Sequence, residues 1–175
     1  MVGVLIDIVF GNRTSIEIIC FTSILKIKTL FFSKEPRFLE RRSIWEMETV
    51  SHHMWNEYAQ LFYPDGTKEV PSDILLEQWL TPRAIAYWYM DDGAIANPNR
   101  KATSLNYHGF SLEDNSRLVR FLQKKYGLNT WIKFNKKRPM IMISGHSKMS
   151  ELVLPFIIPS MHYKFPGPRL RSKPS

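Results

Sequence analysis

Asp91 and Asp92 are the residues best placed to do chemistry. They close the stretch Leu80-Thr81-Pro82-Arg83-Ala84-Ile85-Ala86-Tyr87-Trp88-Tyr89-Met90-Asp91-Asp92-Gly93. Thr81 can cap the first amides of a helix, Pro82 is preorganised for its first position, and Gly93 is expected to end it in a left-handed conformation. Two carboxylates then face the negative pole of the helix dipole, at a cost of about 0.3–1 kcal/mol each, and they repel one another if buried. A divalent cation such as Mg²⁺ removes both objections, because it prefers carboxylate oxygens and reverses the local charge logic. Asp-Asp-Gly after a helix is also an ordinary turn signal, so the residue chemistry alone leaves a turn and a metal site both open.

Charge narrows the choice of partner. The chain carries 24 basic and 16 acidic residues, a formal net charge of +8. Residues 1–95 hold nine basic and thirteen acidic groups, net −4, whereas residues 96–175 hold fifteen and three, net +12. A polyanion-facing surface is therefore expected mainly in the second half, which favours nucleic acid over small-molecule metabolism. No run of 18 uncharged apolar residues marks a membrane span, and the opening Met1-to-Ile6 stretch does not resemble a cleaved signal. Cys20 is the single cysteine, so an internal disulfide and a cysteine-rich zinc cluster are excluded. His52, His53, His108, His146 and His162 lack ligand spacing.

The elements that must position the acids follow from periodicity. Residues 1–10, MVGVLIDIVF, read as the end of an apolar helix already running where the sequence starts. Ser15 to Phe21 is strand-like, Lys26 to Phe32 is a strand or helix stub, and Arg37 to Arg42 is expected as a loop or surface turn. Ile44 to Thr49 alternates as a strand, Trp55 to Phe62 has helical spacing, and Ile74 to Trp79 is a short helix or turn. After the capped helix, Lys101 to Tyr107 reads as strand. Ser111 and Asp114 open a helix whose stripe is Leu112, Asn115, Leu118, Val119, Leu122 and Tyr126, closed by Gly127. Asn129 to Phe134 and Met140 to Ile143 are strands joined by a basic turn, Met149 to Ile157 is a second amphipathic helix, and the tail is expected to be mobile. The halves repeat one order of events, which predicts an α+β fold made of a duplicated αββαββα unit with the first copy shortened. The expected boundaries are 1–75 for the shortened repeat, 80–166 for the second and 167–175 for the basic tail.

Two such units related by a pseudo-twofold suit duplex DNA, whose strands are also related by a twofold. Antiparallel sheets can lay alternating side chains into a major groove. Lys101, Ser104, Asn106 and His108 are assigned to one groove-facing row. Trp131, Lys133 and Asn135 oppose Thr130, Ile132 and Phe134, while Lys136, Lys137 and Arg138 are set to grip phosphates rather than bases. For a reaction, Asp92 or Asp91 would hold Mg²⁺, which activates water and stabilises charge on a scissile phosphate, and Lys164 is the candidate basic partner in the complete half.

This arrangement resembles the LAGLIDADG homing endonucleases, in particular the monomeric two-repeat group encoded in organellar introns. Ile85 to Gly93 looks like their second motif. The match continues through Lys101 to Asn106, Phe110-Ser111, Lys124 to Leu128, Trp131 to Lys133 and Ile157 to Pro159, ending at Met161-His162-Tyr163-Lys164-Phe165-Pro166. The resemblance implies that Asp92 is the metal-binding catalytic acid and that Lys164 is the basic residue near the centre. It makes Lys68, in Thr67-Lys68-Glu69-Val70-Pro71, the counterpart of Lys164 in the first half. It also implies Mg²⁺, double-stranded DNA at an intron insertion site, a monomer without a membrane, and a mitochondrial or chloroplast setting. Some relatives instead act as maturases on the host intron RNA. The first motif departs from the pattern: Ile8 falls where its acid belongs, and Asp7 lies one residue early, about 100° away on a helix. Asp7 is thus the candidate first acid only if the helix end is rebuilt. The expectation is a site-specific, metal-dependent endonuclease, with a nicking or non-cleaving DNA-binding relic and an RNA-binding maturase as alternatives.

Overall fold

The computed structural model describes residues 5–8, 37–42, 44–48, 54–97, 102–105 and 109–165. The strand expected at Ser15 to Phe21, the stub at Lys26 to Phe32, the site candidates Lys101, Asn106 and His108, and the tail from 167 lie outside them. The chain forms two compact units, Met1–Pro71 and Ser72–Ser175.

The first unit contains β1 (Leu5–Ile8), β2 (Arg37–Leu39), a 3-10 turn (Glu40–Arg42), β3 (Ile44–Glu48) and α1 (Met54–Phe62). The strands form one antiparallel sheet in the order β1-β3-β2. Two expectations fail here. Over residues 5–8 the chain is a strand rather than a helix end, because Ile6 and Ile8 are stiff β-branched residues that β3 can pair along its whole length. Arg37–Leu39 is likewise paired with β3 rather than looped, and only Glu40–Arg42 turns. After α1 the chain reverses through Pro64-Asp65-Gly66, where Gly66 supplies a φ of +74°. It then returns to bury Val70 and Pro71.

The second unit runs α2 (Asp73–Trp79), α3 (Pro82–Asp92), β4 (Gly93–Asn97), β5 (Ala102–Leu105), α4 (Leu112–Tyr126), β6 (Asn129–Asn135), β7 (Arg138–Ser144) and α5 (His146–Val153). Two 3-10 segments, Leu154–Phe156 and Pro159–Lys164, follow. From α3 onward this is the expected αββαββα order. Its sheet is antiparallel in the order β4-β5-β7-β6. β4 replaces what the sequence presents as featureless chain, since Ala94 and Ala96 carry no strand periodicity. It exists because β5 pairs with it directly after the helix.

Helix α4 is punctuated at both ends. Ser111 Oγ accepts from the Asp114 amide at 3.0 Å, and Gly127 closes the helix at φ +58°. Its inner stripe buries Asn115, Leu118 and Leu122 against β6 and β7, whereas Leu112, expected in that stripe, is 51% exposed. Thr130 of β6 is tied to the helix by its hydroxyl, which donates to Val119 O at 3.2 Å. Arg117 pairs with Asp73 and Lys125 with Glu77, linking α4 to α2, but both acids are largely exposed and each pair contributes only about 0–1 kcal/mol. Tyr126 Oη adds a 2.5 Å bond to Leu80 O. The last α-helix starts at His146 and stops at Val153 rather than spanning Met149 to Ile157. Pro155 has no amide to donate and the backbone tightens into 3-10 turns.

Candidate active site

Helix α3 is built as its sequence dictates. Thr81 Oγ1 accepts from the Ala84 amide at 3.2 Å, and Pro82 occupies the first turn. Ile85, Ala86, Tyr89 and Met90 form its fully buried face, packed against α5 and the Leu154–Phe156 turn. Arg83 lies over the Phe156 ring at 5.4 Å. The face ends in Asp91, exposed, and Asp92, half-buried.

Gly93 follows with φ −81° and ψ 145°, so the expected left-handed ending does not form. Glycine is needed for space instead. A Cβ at this position would lie 2.3 Å from both the Tyr89 carbonyl oxygen and a ring carbon of Tyr89. The chain passes from helix to strand directly under the Tyr89 ring.

Lys164 reaches this helix end from the far end of the unit. Its ammonium donates to Met90 O at 2.5 Å and to Asp91 O at 3.4 Å. Those carbonyls belong to the last helical turn, which has no amides of its own to bond, and a cation there opposes the negative pole. Burial pulls the Lys164 ammonium below the ordinary lysine value, and the charges of Asp91 and Asp92 pull it back up. The helix end that the sequence makes costly for two carboxylates therefore already has one compensating cation. The two residues proposed from sequence for this half, Asp92 and Lys164, are brought together although 72 positions separate them.

Sequence reasoning missed Tyr89. The side chain is fully buried, its Oη donates to Lys164 O at 2.6 Å, and its ring sits 4.9 Å from that of Phe165. A hydroxylated aromatic on the buried stripe of the helix was the available clue, because a buried phenol demands a partner.

The remaining candidates fall into three groups. Asp7 lies in β1, in register with Glu46, and no helix C-terminus carries it. Lys68 is half-buried in the turn after α1. On the sheet, Lys133 and Asn135 are exposed and share a face of β6 with Trp131, while Arg138 of β7 pairs with Asn135. This face is opposite to that of Thr130, which α4 covers. Ser104 is in register with Met142, which pairs with Trp131, but is only 2% exposed, so it does not present itself to solvent.

Lys136 and Lys137 form the two-residue loop between β6 and β7. Their φ values are +46° and +67°, and they are the non-glycine residues among those described with positive φ. Two left-handed central residues make a type I′ turn, which favours Asn-Gly. Lysine pays strain of order 1 kcal/mol at each position to occupy it.

Among the described residues, no group of three or more His, Cys, Asp or Glu side chains is arranged to enclose a metal ion, and no helix is long and apolar enough to cross a membrane. Asp92 is nonetheless a hard oxygen donor, half-open to solvent and beside helix-end carbonyls. That suits a cation such as Mg²⁺, which takes one or two protein carboxylates and leaves its other positions to water and phosphate.

Comparison with known proteins agrees with this fold. The profile of the LAGLIDADG DNA endonuclease family matches residues 20–150. A probable intron-encoded endonuclease 1 of Wickerhamomyces canadensis is 30% identical over 173 residues, covering 91% of this chain and 72% of that protein. The cytochrome b mRNA maturase bI2 of Saccharomyces cerevisiae is 36% identical over 152 residues, covering 83% of this chain and 35% of the maturase. The solved structure of the homing endonuclease I-WcaI bound to its DNA recognition sequence superposes with a TM-score of 0.75 at 28% identity, covering 93% of this chain and 74% of that one. With its αββαββα second unit and an acid-ended, lysine-capped helix, this chain belongs to the LAGLIDADG DNA endonuclease family.

Proposed function

We propose that this chain is a site-specific DNA endonuclease of the intron-homing type, acting as a monomer on double-stranded DNA with Mg²⁺. The observation that carries the reading is the meeting of Asp92 and Lys164 at one helix end, beside a strongly basic half of the chain. Asp92 would hold the cation, whose chemistry is to activate water and to stabilise charge on the scissile phosphate. Lys164 fixes the helix end and places a positive charge beside the two acids. Lys133, Asn135 and Arg138 present donors on the open face of the sheet, and Lys136 and Lys137 supply phosphate contacts at its tip.

The first half is read as a shortened repeat, with Lys68 as the counterpart of Lys164. Asp7, on a strand, lacks the helix-end setting of Asp92. If each centre cuts one strand, nicking is the product expected from the second unit alone. The likeness to cytochrome b mRNA maturases supports a mitochondrial setting, and it favours intron RNA as the second reading of the partner.

Cleavage of a supercoiled plasmid carrying the intronless insertion site, in Mg²⁺, tests the proposal. Product cut at one location supports it, and the ratio of nicked to linear DNA counts the working centres. No product from well-folded protein overturns it and makes intron-RNA binding the assay to run.

The strained turn yields a prediction of its own. Lys136→Asn with Lys137→Gly should raise unfolding free energy by about 1 kcal/mol, because the new residues suit a type I′ turn. The same pair should weaken binding to every duplex and reduce the salt slope of log K by roughly 2, about 0.9 per lost phosphate contact. Denaturant melts and DNA titrations across salt concentrations measure the two effects. An unchanged slope would remove these lysines from the phosphate surface.

A further inference from the structure

We propose that Tyr89 is the positioning residue of this centre: its hydroxyl fixes Lys164 while its ring fixes the Asp92-Gly93 helix end, so that one side chain sets the acid and the lysine relative to each other. The proposal deepens the nuclease reading above and rests on its choice of Asp92 and Lys164.

The geometry forms a closed loop. Tyr89 Oη donates to the carbonyl of Lys164 at 2.6 Å, and the Lys164 ammonium returns to the carbonyl of Met90, the residue after Tyr89, at 2.5 Å. One bond holds the backbone of Lys164 and the other orients its side chain, so the lysine is fixed at both ends. The Tyr89 ring packs with Phe165, the next residue along, at 4.9 Å. Its other neighbour is Gly93, which lies so close that no Cβ fits between them. Tyr89 thus touches the residue after each member of the pair.

Packing alone does not account for a tyrosine here. The ring is fully buried, and a phenylalanine would fill the same space without a hydroxyl to desolvate. The phenol is tolerated because it is bonded, and the carbonyl it bonds is that of Lys164, 75 residues away in sequence. Tyr126 provides an internal comparison. It makes a bond of the same kind to Leu80 O, tying α4 to the end of α2, and that bond does not involve Lys164.

The test uses the full chain and Tyr89→Phe, which keeps the ring and its contacts. An amine-acylating reagent at neutral pH, read peptide by peptide by mass spectrometry, should label Lys164 several-fold faster in Tyr89→Phe. Labelling of Lys136 and Lys148 should not change, and Tyr126→Phe should leave Lys164 as in the parent. Equal labelling of Lys164 in parent and Tyr89→Phe overturns the proposal, as does a uniform rise at all lysines, which would mean general loosening. On DNA, Tyr89→Phe should slow single-turnover cleavage about tenfold at unchanged affinity, and should add nothing further in a Lys164→Met background. Rate losses that multiply in the double variant overturn the positioning role. A Lys164 labelling response in a chain that cuts no DNA would refute the nuclease reading and leave the clasp standing.

Discussion

Asp92→Asn should lose cleavage by at least about 10³-fold, some 4 kcal/mol of transition-state stabilisation, while binding its DNA with nearly the parental affinity. Asparagine keeps the size and one oxygen of the aspartate but not the charge that would draw a divalent cation to the helix end. Its contribution to stability points both ways. Removing a carboxylate from the negative pole of α3 gains about 0.3–1 kcal/mol, and losing its attraction to Lys164 offsets part of that. The melting temperature should therefore stay within about 4 °C of the parent. Asp91→Asn is the matched control, because Asp91 is the exposed member of the pair and Asp92 the half-buried one. Single-turnover cleavage, DNA titration and thermal melting of the three chains decide the matter. Parental cleavage by Asp92→Asn sinks the assignment of the acid, and equal losses in both variants would give the role to the pair.

The helix that ends in Asp91 and Asp92 is legible in the sequence for local reasons. Thr81, Pro82 and the apolar spacing from Ile85 to Met90 specify α3 through interactions within a few residues, and Ser111 and Gly127 do the same for α4. Short-range signals failed where pairing partners decide. Leu5–Ile8 is apolar enough for either a helix or a strand, and β3 settles it. β4 shows no periodicity and is made by β5. Gly93 was correctly marked as special for the wrong reason: sequence suggests a positive φ, whereas the Tyr89 ring imposes a limit on volume. Lys164 could be proposed from family resemblance, but its role as a helix-end donor required three-dimensional placement. The buried stripe could mark the Tyr89 phenol as needing a partner but could not name it, since that partner is 75 residues distant.

Lys164→Met should lower single-turnover cleavage by about 10²-fold and, unlike Asp92→Asn, should also cost stability. Methionine preserves much of the aliphatic stem, so packing changes little. What disappears is a charge that bonds two helix-end carbonyls, Met90 O and Asp91 O, and lies near both acids. Hydrogen bonds to charged groups contribute about 1.5–3 kcal/mol, and the half-buried ammonium no longer has to be desolvated, which leaves a net loss of about 1–2 kcal/mol. That corresponds to a fall of roughly 2–8 °C in melting temperature. The two readouts separate the helix-end bonding of this side chain from the catalytic charge proposed for it. Loss of stability with parental cleavage would make Lys164 a helix cap and nothing more. Loss of cleavage beyond what the folded fraction explains places its charge in the reaction. Because the ammonium is held by carbonyls of the turn that ends in Asp92, the second outcome is expected: any displacement of the lysine also changes the electrostatic environment of the acid.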